Sequence, residues 1–152
     1  MGQGSGARLI FPGLAGFYAS MMPITYTLVR IVVGIMFLVH VSAKFKAGPD
    51  AVAAGAMAHA GLQPALMFAY AAIILEAVGG AALVIGLFTR FFAAALAIEM
   101  AIALITVHLP KGYAAGAGGY EYVLLIGAVL FAIAIRGGGP YSVDEKLIGK
   151  EL

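Results

Sequence analysis

Four stretches of this chain are apolar for long enough to cross a lipid bilayer, and that feature limits the fold more than any other. They run from about Ile24 to Phe45, Pro64 to Phe88, Phe91 to Leu109 and Tyr120 to Arg136. A helix needs roughly 20 residues to cross a hydrocarbon core of about 30 Å; the fourth stretch is at the short end of that range. Only helices and closed barrels satisfy their backbone polar groups in lipid, and unbroken apolar runs of this length indicate helices. The chain is 152 residues long and 63% hydrophobic, with 11% charged residues, more apolar surface than a soluble domain of this size can hide. The expectation is an all-α polytopic membrane protein, a bundle of four transmembrane helices.

Only Thr89 and Arg90 separate the second and third stretches, so these form a tight antiparallel hairpin; one unbroken helix would be about twice the bilayer thickness. Between the first and second spans, Gly48-Pro49-Asp50 is a turn and helix-start signal followed by alanine, valine and methionine. A short interfacial helix is expected there. The Pro110–Gly119 connection is glycine-rich and reads as irregular. Residues 1–23 read as a flexible, then interfacial, N-terminal extension and not as a secretory signal, with Pro23 at the start of the first span. Residues 24–136 form the transmembrane domain. Gly137-Gly138-Gly139-Pro140 ends the last helix, leaving 137–152 as a polar tail.

Lys and Arg distribution sets the orientation. Arg8, Arg90, Arg136, Lys146 and Lys150 fall on the side of both termini, against Lys44, Lys46 and Lys111 on the other. The positive-inside rule then puts both termini in the cytoplasm. A net charge of +2 without a basic patch gives no reason to expect a nucleic-acid partner. Without cysteine there is no disulfide, thiolate metal site or thiol nucleophile.

Ionisable residues within the spans are costly, on the order of 2.5–3.5 kcal/mol each on insertion scales, so each needs a reason. Arg30, His40 and Lys44 share one face of the first helix. Glu76 lies mid-way along the second and Glu99 in the cytoplasmic half of the third. A buried ion pair of Arg30 with Glu76 or Glu99 is the economical expectation, and the other acid should carry its proton or face a wet cavity. Toward the opposite face gather His40, Lys44, His108, Tyr120, Glu121 and Tyr122. An interfacial belt is the plain reading of this group. It is also the inventory of a polar pocket able to bind a carbonyl or hydroxyl ligand and exchange protons. The ligand-binding or proton-transfer candidates are therefore His40, Lys44, Glu76, His108, Tyr120 and Glu121. Glu99 and His108 are nine residues apart, about 180° on a regular helix, so they share a pocket only if the helix distorts near Pro110. Two histidines are too few for a metal site, and no haem-attachment motif is present; neither metal nor haem is expected.

The order and spacing of several short pieces resemble the DoxX family. These are Arg30, His40-Val-Ser-Ala-Lys44, Leu75-Glu76-Ala-Val-Gly79-Gly80, Gly86-Leu-Phe-Thr89-Arg90, Val107-His108-Leu-Pro110, Gly118-Gly119-Tyr120-Glu121-Tyr122 and Gly139-Pro140-Tyr141-Ser142-Val143-Asp144. The resemblance covers about Thr25 to Leu147. It implies a bacterial or archaeal cytoplasmic-membrane protein of four helices, akin to a small subunit associated with a terminal quinol oxidase and to relatives in quinone-coupled thiosulfate oxidation. It supports fold more strongly than chemistry. The function expected is a quinone-linked redox subunit, electrons coming from partner proteins. The alternatives are a non-catalytic anchor or assembly subunit of a larger complex or homo-oligomer, and, less favoured, a proton-coupled small-solute transporter.

Overall fold

The computed structural model describes residues 9–149, all helix, turn and loop. Met1–Gly6, Arg8 and Lys150, which entered the expected tail and the charge count, lie outside the described residues. Four long helices pack together: α1 (Ala15–Ala47), α3 (Ala65–Ile85), α4 (Thr89–Ala103) and α5 (Glu121–Arg136), with a short α2 (Pro49–Val52) between the first two. The stretches Pro12–Ala47, Ala65–Ile85 and Thr89–Lys111 are long and apolar enough to cross a membrane. At 16 residues, α5 is about 24 Å long and falls short of that length. Leu28, Val32, Val39, Ile74, Ile98, Ile105, Leu125 and Phe131 stand on the outside of the bundle. Apolar side chains displayed so widely suit a lipid surround.

The helix boundaries differ from the sequence reading in two places. The first helix begins at Ala15, not near Ile24, and Pro23 lies inside it. Local side chains satisfy carbonyls around the proline: Thr27 Oγ1 donates to the Pro23 carbonyl at 2.8 Å and Thr25 Oγ1 to that of Met21 at 3.0 Å. The hairpin turn is Gly86-Leu87-Phe88, ahead of the Thr89-Arg90 pair. Gly86 adopts a left-handed conformation (φ 75°), which ends α3, and the Leu87 N–H reaches back to the Ala82 carbonyl at 2.9 Å.

α1 and α3 run antiparallel with their backbones in contact. A Cβ on Gly34 would fall 2.7 Å from the Gly80 carbonyl oxygen and 2.9 Å from the Val84 nitrogen, so only glycine fits. α4 packs chiefly on α5. In the half nearest the termini, Val33, Phe37, Leu83, Ala93, Leu96, Ile126, Leu130 and Ile133 form a continuous apolar core drawn from all four helices. In the other half, Val52 of α2 with Ala53 and Met57 of the π-helical turn that continues it (Ala53–Met57; together the α2 segment) close against Val41, Ala69, Ala72 and Ile73.

Three polar side chains finish the helix ends beside the termini. Arg30, fully buried, donates to the Leu83 and Val84 carbonyls at the end of α3 and to Tyr141. Arg90 does the same for Ala134, Ile135 and Arg136 at the end of α5. Asp144 accepts from the Phe88 and Thr89 N–H groups at 2.7 and 2.9 Å, capping α4. The segment after Arg136 is thus folded back on the hairpin, with Ser142 and Asp144 buried.

Gly34→Ala should separate α1 from α3 and cost about 1–3 kcal/mol, read as a lower unfolding temperature in detergent. Gly127→Ala is the control: its Cβ would meet only Met100, at 3.5 Å, and little change is expected.

Candidate functional site

The contact at Gly34 and Gly80 determines which residues of α1 and α3 meet. Nearly three turns beyond Gly34, Lys44 arrives beside Glu76. Its Nζ donates to Glu76 Oε1 at 2.8 Å, and His40 Nε2 stands 3.9 Å from the same oxygen. Glu76 is 1% exposed; the His40 side chain is 66% exposed and so forms the rim of the site. In the other direction from Gly34, Arg30 arrives at the end of α3.

Arg30 therefore pairs with neither Glu76 nor Glu99, contrary to the sequence expectation. Eight residues, about 12 Å of helix, separate Glu76 from the Val84 carbonyl that Arg30 binds. The free carbonyls at a helix C-terminus are a favourable partner for a cation. Asp144 is the acid in electrostatic reach of Arg30.

Glu76, Lys44 and His40 line a cavity of about 570 Å³ together with Glu99, His108 and Tyr122. Its remaining wall is largely alanine, leucine, methionine and phenylalanine, from α1, the α2 segment, α3, α4 and α5. Glu99, half-buried, thus joins the group nearest the far face and not a pair with Arg30. His108 reaches the same cavity because Leu104–His108 is wound as a π-helix, one residue wider per turn, which rotates it away from the regular phase. Its Nδ1 lies 2.7 Å from the Gly118 carbonyl. A carbonyl only accepts, so Nδ1 carries the hydrogen and Nε2 is left as the basic nitrogen.

Tyr120 and Glu121 do not line this cavity. The Tyr120 ring stacks edge-on against Tyr113 at 5.5 Å, and Glu121 Oε2 accepts from the Ala115 N–H at 3.1 Å. Both hold the loop that precedes α5. Tyr122 takes the cavity position, two residues on, because the start of α5 turns that side chain inward. Its place in the GGYEY run was visible, but its direction depends on where the helix begins.

Two buried oxygens, Glu76 Oε2 and Glu99 Oε2, have no hydrogen-bond partner among the described residues. Groups in this condition cost about 1–3 kcal/mol each, more when charged. Among the described residues no group of three or more His, Cys, Asp and Glu is placed to hold a metal.

Residues 25–109 match the model of the DoxX family. An uncharacterized protein of Haemophilus influenzae is 34% identical over 131 residues, which cover 84% of this chain and 94% of that protein. No solved structure matches the chain.

Removing one partner of a buried ion pair leaves the other uncompensated. Lys44→Met is expected to cost about 3 kcal/mol, and Glu76→Leu less, because Lys44 still has Glu99 within electrostatic reach. The double variant should regain most of the loss. A double-mutant cycle on unfolding in detergent measures this; simple additivity would show that the pair contributes nothing.

Proposed function

The chain belongs to the DoxX family, and from that premise we propose that it is an integral membrane subunit whose cavity holds the head group of a quinone. The observation that carries this reading is the Lys44–Glu76 pair opening on an apolar cavity of about 570 Å³. Small-molecule sites fall in the range of about 300–1,000 Å³, mostly apolar with a few convergent polar groups.

The residues present fit such a head group. Lys44 keeps N–H donors beyond the one used on Glu76, and Tyr122 brings a hydroxyl, so carbonyl oxygens would find donors from two helices. His108 Nε2 and the two carboxyls can take or return protons. A quinone, when bound, supplies two-electron, two-proton redox chemistry. Electrons would come from a partner protein; the chain's own part is to bind, orient and move protons.

In this reading the protein lies in the bacterial or archaeal cytoplasmic membrane and crosses it four times. α5 makes the fourth crossing despite its length, and the α2 segment lies at the far interface. Both termini face the cytoplasm, since the sequence assigns Arg8, Arg90, Arg136, Lys146 and Lys150 to their side, against Lys44, Lys46 and Lys111.

A second reading, a non-catalytic assembly subunit, draws support from the outer groove between α4 and α5. Ala94, Ala97, Ala101, Gly127 and Ala128 line it, small residues that allow a partner's transmembrane helix to come close. Stoichiometric co-purification of such a partner, with Glu76→Gln and His40→Ala leaving the activity of the complex intact, would favour it.

Protein extracted in its native lipid should carry quinone, recovered by solvent extraction and identified by mass spectrometry. Lys44→Ala should weaken rebinding of added quinone by about tenfold, the equivalent of about 1.4 kcal/mol. Native-lipid preparations without quinone, and without binding when it is added back, would exclude the quinone reading.

A further inference from the structure

Glu76 and Glu99 stand on facing helices at matching depth. Gly79 of α3 lies against Leu96 of α4, where a Cβ would come 3.1 Å from the Leu96 side chain. α3 and α4 are antiparallel arms of one hairpin, so three residues farther from the turn on each arm puts Glu76 opposite Glu99. Both acids line the same cavity, and each has an Oε2 buried without a hydrogen-bond partner among the described residues. Glu99 lies within electrostatic reach of both Glu76 and Lys44.

The charges around this pair do not balance if both acids are ionised. Lys44 is a single ammonium, bonded to Glu76 Oε1. His40 is 3.9 Å from the same oxygen and mostly exposed. His108 is held by the Gly118 carbonyl, the Thr106 hydroxyl donates to the Ile102 carbonyl, and Tyr122 is neutral as a phenol. Arg30 is engaged at the far end of α3. Two carboxylates lining one cavity against one ammonium would leave a net negative charge among apolar side chains, which costs several kcal/mol. One proton between the acids removes that charge. A proton held between the two Oε2 atoms would also give each orphaned oxygen a partner, one as donor and one as acceptor.

We propose that Glu76 and Glu99 share a single proton and, with Lys44, make a net-neutral proton-binding site in the wall of the cavity. Glu99, the acid to which Lys44 is not bonded, is the one that gives the shared proton up or takes it back. The proposal goes beyond the quinone reading and holds whatever the cavity's ligand is.

Infrared spectroscopy of the full-length protein reconstituted in lipid at neutral pH tests it. The wild type should show a carboxylic acid C=O stretch that shifts down in D₂O. Glu76→Gln and Glu99→Gln should each abolish that band, since the remaining carboxylate then has Lys44 to itself. Lys44→Gln should about double it, because the second acid must then also be neutral. Glu99→Asp keeps a carboxyl at this position and should move the band without removing it, which separates loss of the proton site from loss of the fold. A wild type without the band, or a band that survives in both glutamine variants, overturns the proposal. Quinone content measured on the same preparations reports on the quinone reading separately: its absence beside an intact band counts against that reading alone.

Discussion

Where Gly34 passes Gly80, two helix backbones touch, and a single added carbon on Gly34 would sit 2.7 Å from a carbonyl oxygen. A contact that close tolerates no sliding. It fixes α1 against α3 to the residue, and the partners of every charged side chain on α1 follow from that. Toward the termini the register brings Arg30 to the open end of α3; away from them it brings Lys44 to Glu76. A slip of one turn would leave Glu76 without its cation inside an apolar interior, a defect on the order of 3–5 kcal/mol. The two glycines and the Lys44–Glu76 pair thus enforce the same alignment by different means, one by steric exclusion and one by charge.

The ends of the helices near the termini are finished by charge as well. Arg30 and Arg90 each gather the last carbonyls of a neighbouring helix, and Asp144 gathers the first amides of α4. The Tyr26 hydroxyl adds a bond to the Gly137 carbonyl, with the Arg136 guanidinium over its ring at 4.3 Å. This end of the bundle is closed by polar bonds to the backbone, while the other end keeps its polar side chains around a cavity. The division matches the chemistry available: carbonyls and amides at helix ends are fixed partners, whereas side chains around a cavity stay free to engage a ligand.

That the chain is helical, with stretches apolar and long enough to cross a membrane, was legible from hydropathy alone, because long apolar runs and isolated charges carry their own explanation. Glu76, Glu99, His40, Lys44 and His108 stood out for the same reason, each being costly in lipid. What hydropathy does not encode is lateral register. Arg30 and Glu76 are both interior charges of opposite sign, and only the glycine contact shows that they sit at different depths. The π-helical turn that brings His108 into line with Glu99 leaves no mark in residue type, since Leu104–His108 reads as ordinary helix. Tyr122 and Tyr120 differ only in which side of the α5 start they fall, and one residue there exchanges cavity for loop. Asp144 read as part of a polar tail because its partners, the amides of Phe88 and Thr89, are more than fifty residues away along the chain.

The apolar core in the half of the bundle nearest the termini has a consequence for where charge can sit. Phe37 and Ile126 both line the cavity and belong to that core, so the cavity ends where the packed side chains begin. Toward the termini it is bounded by those side chains. The carboxyls of Glu76 and Glu99 line the cavity on one side of this layer, and Arg30, Arg90 and Asp144 bind helix ends on the other. The packed layer thus holds two populations of charge apart along the bundle axis, one spent on helix ends and one gathered around the cavity.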